Sequence, residues 1–289
     1  MKITAEKKSG LKRTLVIVVI YLAAVFVIGC GLLYFLQDGV FFHNVRDDAS
    51  RVYLEGKPGY QEISFTAEDG ATYHGMLYRA TDGPAPLMIY FGGNMEVSYR
   101  NLRMWGDQGL WPYFDGYSYL CVDYEGYGLN TGSADYKNMY AEALAVYDYA
   151  LTLPDVDQSH IVAMGYSIGT GCAVYLAANR QLAALLLAAP YANGNDLYNN
   201  VLPVFAGPLK LLERQKFPSD QYAPLITCPT LIIASRGDET VPFASSERLA
   251  ALISGPVTFF PLDNVSHNDI FSGAGVMEKV REFLEEINK

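Results

Sequence analysis

The chain has 289 residues, 51% hydrophobic and 18% charged, with 21 basic against 31 acidic side chains and a net charge of −10. That is enough apolar material for one large core plus a membrane segment, and the acidic balance excludes a nucleic-acid surface, which needs clustered cations. Four cysteines and four histidines occur without CxxC spacing or Cys/His clustering, so neither a metal site nor a complete disulfide framework is expected, and no cofactor motif is present.

The first 14 residues hold Lys2, Lys7, Lys8, Lys12 and Arg13 against Glu6 alone, which leaves 16 basic and 30 acidic residues, a net of −14, for the remainder. Leu15 to Leu36 then runs 22 residues without a charge. As a helix rising about 1.5 Å per residue it reaches about 33 Å and spans a bilayer core. The flanking cations keep residues 1–14 in the cytoplasm and send the rest across, a single-pass signal anchor. A cleaved signal peptide has a shorter apolar region of about 7 to 15 residues. Val27-Ile28-Gly29-Cys30 resembles a bacterial lipoprotein processing site, and a lipid anchor at Cys30 is the alternative.

Residues 37–59 read as a polar connector, and 60–289 as the catalytic domain. Two alternating runs, Tyr60 to Ala67 and Ala71 to Tyr78, meet at Asp69-Gly70, a hairpin signal. Short apolar runs follow at Leu87–Phe91, Tyr117–Val122, Ile161–Gly165, Ala183–Ala188, Thr230–Ala234 and Val257–Phe260. Helical stretches near Val97–Gln108, Asp135–Leu151, Ile168–Asn179, Phe243–Ile253 and Ser272–Ile287 alternate with them. The alternation predicts a doubly wound, mostly parallel α/β sheet with its ligand at the carboxyl ends of the strands. Cys121 and Cys172 fall within these core elements as buried free thiols. Pro190 to Thr227 breaks the rhythm and is too long for an ordinary connection. It reads as a short cap over the strand ends, with helices at Asp196–Val201 and Gly207–Arg214.

Gly165-Tyr166-Ser167-Ile168-Gly169 places a serine between glycines, after a strand and before a helix. A nucleophile elbow needs that setting, because the turn is strained and only small neighbours let strand and helix pass. A serine hydroxyl also needs a base, usually a histidine held by a carboxylate. His43 lies just past the apolar segment, His74 in the hairpin and His160 at the wrong end of the elbow strand, whereas His267 follows the last strand. Asp238 follows Leu231–Ala234 in the order Ser, Asp, His, with Glu239 adjacent and Asp263 weaker; Asp196 reads as a helix cap. The oxyanion needs two backbone N–H donors, one from Ile168 and one from Gly92-Gly93-Asn94-Met95, with Asn94 first and Met95 second.

With these residues assembled, the chain from about Tyr60 onward resembles the α/β-hydrolase superfamily, closest to its small, often membrane-anchored esterases, thioesterases and serine aminopeptidase-like proteins. The matches are Gly165 to Gly169, Gly237-Asp238-Glu239 with Val241-Pro242, and Ser266-His267-Asn268. Asp123-Tyr124-Glu125-Gly126-Tyr127-Gly128 is similar to a family loop that shapes the site without reacting. The family's His-Gly before the oxyanion residue is replaced here by Gly92-Gly93. The resemblance implies an α/β-hydrolase fold and a membrane-anchored serine hydrolase of acyl esters or thioesters. The partners expected are a small-molecule or lipid acyl substrate and the membrane. A peptidase of the same fold is the first alternative, for which Glu96 would bind a free amino terminus. A non-catalytic tethered binding protein is the second.

Overall fold

One helix, α1 (Lys2–Phe41), runs through the basic cluster and the entire uncharged stretch. The computed structural model describes residues 2–114, 116–201 and 203–289; the side chains of residues 2–11, Lys2, Glu6, Lys7 and Lys8 among them, lie outside the described residues. Lys12–Gly39 of α1 is long and apolar enough to cross a membrane, and its most apolar window is not buried by the protein. The helix continues a turn past Leu36 because Gln37 and Asp38 find partners on the cap: Gln37 Nε2 donates to the Leu212 carbonyl at 3.0 Å, and Arg214 pairs with Asp38 at 2.6 Å.

The connector, expected to be irregular, contains a short helix, α2 (Asp48–Leu54), whose start is set by Asp47 accepting the Ser50 N–H at 3.0 Å. An aspartate at that position satisfies one of the free N–H groups of the first turn. Eight strands follow in one sheet: β1 (Tyr60–Thr66), β2 (Thr72–Tyr78), β3 (Ala85–Phe91), β4 (Ser118–Val122), β5 (Val156–Tyr166), β6 (Ala184–Ala188), β7 (Thr230–Ser235) and β8 (Val257–Leu262). Their spatial order is β1-β2-β4-β3-β5-β6-β7-β8. β1 and β2 form the antiparallel hairpin turned at Asp69-Gly70, β2 is antiparallel to β4, and every later pairing is parallel. β3 and β5 lie side by side at the centre while the chain departs from them in opposite directions, and such a reversal opens a crevice at the strand ends.

Helices α3 (Ser98–Asp107), α4 (Tyr136–Ala150), α5 (Gly169–Asn179), α6 (Gly194–Val201), α7 (Ser219–Tyr222), α8 (Phe243–Leu252) and α9 (Val276–Ile287) complete the layers. Burial follows the sequence pattern: every residue of β4, β6 and β7 is buried, as strands covered on both faces must be. Cys121 and Cys172 are buried free thiols, and Cys228 is partly buried.

Two expectations are corrected. Gly207–Leu212 winds as a 3-10 turn with Pro208 in its first turn, where an α-helix to Arg214 was expected. The last helix starts at Val276 instead of Ser272, because His267–Ser272 form their own 3-10 turn and Gly275 takes a left-handed φ of 75°. The cap meets the acid turn beyond β7, where Asn200 Nδ2 donates to the Glu239 and Thr240 carbonyls at 2.7 and 3.1 Å, and it also grips the end of α1, with Phe41 stacked on Tyr198 at 3.7 Å between ring centroids and Phe42 against Phe217.

Candidate active site

Ser167 is the first residue after β5 and has a φ of 52°, a left-handed conformation that a serine adopts only under tertiary constraint. The flanking glycines permit it. A Cβ on Gly165 would stand 2.7 Å from Thr170 Cα, and one on Gly169 would fall on the Phe91 carbonyl oxygen. The turn is pinned by the Ser167 N–H donating to the Ala188 carbonyl at 3.0 Å.

Ser167 Oγ lies 2.9 Å from His267 Nε2, and His267 Nδ1 lies 2.8 Å from Asp238 Oδ2. The side chains are nearly sealed, with 9% of His267 and 2% of Asp238 exposed, so water competes little for either bond. Asp238 is fixed in turn, its Oδ1 accepting the backbone N–H groups of Thr240 and Val241 at 2.8 Å each. The loop carrying His267 is tied to β7 by Ser235, whose Oγ donates to the Val265 carbonyl at 2.6 Å. Glu239, the neighbouring carboxylate, turns elsewhere and accepts the His267 backbone N–H at 3.2 Å. Asp263 is exposed and pairs with Arg236, while Asp196 takes Ser245 and Arg248 instead of capping a helix. His74 stays in β2, and His160 pairs with Asp157 at 2.8 Å.

The loop after β3, expected to supply an oxyanion donor, is held by a set of side chains. Glu96 Oε2 accepts the Gly93 N–H at 2.7 Å and the Tyr90 hydroxyl at 2.9 Å. Tyr124 donates to the Gly92 carbonyl at 2.8 Å, and Tyr127 donates to Asn94 Oδ1 at 2.7 Å, so both tyrosines of the Asp123–Gly128 loop brace this backbone. The Asn94 amide donates to the Phe41 carbonyl at 2.6 Å, while its Oδ1 accepts the His43 N–H at 3.2 Å. The end of α1 is thereby bound to the loop beside Ser167. Among the described residues no protein acceptor takes the N–H of Asn94 or Ile168. Met95, the second candidate donor, has a left-handed φ of 68°.

Burial raises the Glu96 carboxyl above its ordinary value, against the lowering effect of the Gly93 N–H. Deeper behind the loop, burial pushes Asp123 up to about 7 although the Ser98 N–H donates to it at 2.6 Å. Burial and then the neighbouring Asp123 raise Glu142 further; among the described residues neither of its oxygens has a hydrogen-bond partner.

These groups surround a cavity of about 410 Å³ lined by Asn94, Ser167 and His267 together with the apolar Met95, Met104, Trp105, Leu110 and Phe271. No cap residue is among its described lining. Sequence reasoning missed Tyr166, whose ring stacks on the His267 imidazole at 5.2 Å and whose hydroxyl donates to the His267 carbonyl at 3.0 Å. It also missed the bond from Asn94 to Phe41, for which a backbone carbonyl carries no sequence signal.

No protein-family model matches the chain. It is 30% identical over 233 residues to the uncharacterized protein Rv2307c of Mycobacterium tuberculosis, covering 79% of this chain and 80% of that protein. It is 31% identical over 163 residues to the alpha/beta hydrolase domain-containing protein aho-3 of Caenorhabditis elegans, covering 56% of this chain and 47% of that protein. Among solved structures, the Pyrococcus furiosus esterase Pf2001 superposes with a TM-score of 0.67 at 17% identity, over 86% of this chain and 97% of that one. An acetyl xylan esterase from Paenibacillus sp. R4 does so with a TM-score of 0.62 at 17% identity, over 87% and 99%. At such identity the structural likeness speaks for the fold alone.

Proposed function

The chain belongs to the α/β-hydrolase superfamily, and on that premise we propose that it is a membrane-anchored serine hydrolase that cleaves acyl esters or thioesters through an acyl-enzyme. The observation that carries this reading is the relay of 2.9 Å and 2.8 Å from Ser167 through His267 to Asp238, with the serine strained at a strand end. In the proposed sequence His267 Nε2 takes the Ser167 proton as Oγ attacks the acyl carbonyl. Asp238 holds the tautomer with the proton on Nδ1 and stabilises the imidazolium. The Asn94 and Ile168 N–H groups donate to the oxyanion. His267 then protonates the departing alcohol or thiol, and on the return half it activates water to release the acid.

The cavity favours acyl groups over peptides. Its lining is mixed, with Met95, Met104, Trp105, Leu110 and Phe271 beside polar Arg100, Gln108 and Asn268, and the support for acyl groups is that the one carboxylate among its described lining, Glu96, is spent on the Gly93 N–H and Tyr90. A peptidase selecting a free amino terminus would need that carboxylate available. The anchor reading rests on the apolar span Lys12–Gly39, and the cytoplasmic N-terminus on the basic residues before it. The experiment is labelling with a fluorophosphonate probe, which modifies the wild type and not Ser167→Ala. Equal labelling of both would sink the assignment, and none of either would favour a tethered binding protein. A panel of acyl esters, acyl thioesters and aminoacyl amides separates esterase from peptidase.

A further inference from the structure

The most exposed large apolar side chain described in this protein does not belong to the spanning helix. Leu211, in the 3-10 turn Gly207–Leu212 of the cap, is 87% exposed, more than Phe35 at 74% within α1. A single exposed leucine is ordinary on a protein surface; here its height decides. The turn is bolted to the first residues beyond the uncharged stretch. The Leu212 carbonyl accepts from Gln37, the Arg214 N–H donates to Gln37 Oε1 at 2.8 Å, and the Arg214 guanidinium pairs with Asp38 and lies 5.4 Å from the centre of the Tyr34 ring. If Leu15 to Leu36 occupies the hydrocarbon core, a segment bonded to Gln37 and Asp38 stands at the headgroup layer whatever the tilt of the helix. Tyr34 is the type of residue that marks this layer.

The local charge agrees with that placement. Lys210 and Lys216 flank Leu211 and are exposed, while Glu213, the only acid between them, is buried with Oε2 near the Asn195 amide. In a domain of strongly negative net charge, a leucine set between two exposed lysines beside a membrane helix has the chemistry of an interfacial contact, its apolar side chain in the acyl boundary and its cations among phosphates. We propose that the turn Gly207–Leu212 with Lys216 is a membrane-docking element that seats Leu211 in the bilayer crossed by α1 and binds anionic headgroups through Lys210 and Lys216. It fixes the catalytic domain against the surface at a second point, so the domain cannot swing freely about α1. The inference rests on the reading of α1 as a spanning helix.

The test uses the full chain reconstituted in vesicles of phosphatidylcholine, with or without phosphatidylglycerol, carrying shallow or deep spin-labelled lipids. Cys30 and Cys228 are replaced by serine; Cys121 and Cys172 are buried and their thiols raised by burial, so they label slowly. An environment-sensitive fluorophore is placed at one of three positions: Leu211→Cys, Leu225→Cys or Phe26→Cys. Leu225 is 59% exposed but precedes β7, at the amino end of the strand whose carboxyl end leads to the site. Shallow labels should quench position 211 several-fold more than position 225, and deep labels should quench position 26. Lys210→Gln and Lys216→Gln should each lower the inserted fraction at 211 about fivefold, and only in vesicles containing phosphatidylglycerol. Quenching at 26 with no excess at 211 over 225 overturns docking while the spanning helix stands. Loss of quenching at 26 removes the spanning reading and docking with it. An effect of the lysines that ignores the anionic lipid overturns the headgroup contact.

Discussion

On one side of the cavity, Ser167, Asp238 and His267 stand on turns that leave β5, β7 and β8 within one to five residues of the last paired strand position, and each is fixed mainly by its own turn or by the next strand. On the other side, the loop after β3 has one local support and several remote ones. Glu96 holds it from within, Tyr124 and Tyr127 from the loop after β4, and Phe41 and His43 from the end of α1. The three proposed triad residues are thus held by their own turns and adjoining strands, and the loop proposed to bind the oxyanion draws in addition on two other segments of the chain. The second wall is bonded directly to the end of α1, and among the described residues the three triad candidates are not.

The largest expected effect tests the first wall. Ser167→Ala and Asp238→Asn should each lower kcat by about 10⁴-fold or more on an acyl ester, with the fold intact by circular dichroism. Glu239→Gln should cost far less, since Glu239 meets only the His267 backbone N–H. A comparable loss in Glu239→Gln would move the acid role away from Asp238.

Next comes the second wall. Asn94→Ala keeps the backbone N–H proposed as oxyanion donor but cuts the loop from Phe41, His43 and Tyr127. A small displacement of a preorganised donor is costly, so kcat should fall about 10² fold with KM little changed. Glu96→Gln should act the same way at Gly93. Tyr127→Phe removes one bond of the set and should cost about tenfold or less, as a single hydrogen bond does. A rise in KM at constant kcat for Asn94→Ala would mean that the side chain binds substrate and does not position the loop.

The same division explains what could be read before the fold was known. The elbow, the acid turn and the base loop each combine a scarce residue type with a strand end, and four histidines reduce to one by position alone. Six strands were legible as the unbroken apolar runs of a parallel sheet, and the first two by their alternation around Asp69-Gly70. What escaped depends on partners remote in sequence. The Phe41 carbonyl that receives Asn94 is a backbone atom, Glu96 looked like a free pocket carboxylate until Gly93 and Tyr90 were seen to occupy it, and the cap's place beside α1 follows from Tyr198, Phe205 and Phe217, aromatics with no period to betray them. The Gly92-Gly93 departure from the family's His-Gly has a physical answer here, since Glu96 and the two tyrosines supply the support that a histidine would.

The smallest effect concerns the ground beneath the second wall. Asp123 anchors the start of α3 by accepting the Ser98 N–H, yet burial pushes it up to about 7, and Glu142 beside it is raised as well. The folded protein therefore holds a proton on Asp123 over a range in which the unfolded chain, at its ordinary value of 3.8, has released it. More protons on the folded side make stability fall as pH rises. The loss starts near pH 4, continues to about pH 7 and then levels for this residue, with a slope of at most about 1.4 kcal/mol per pH unit, or about 3 °C in Tm for a domain of this size. Asp123→Asn keeps an acceptor for Ser98 and removes the titration, so its Tm against pH should be flatter over that window. Glu142→Gln should remove a separate part of the slope. A wild-type Tm that rises from pH 4 to 7, or an Asp123→Asn profile parallel to it, would mean that the oxyanion wall stands on an ionised carboxylate after all.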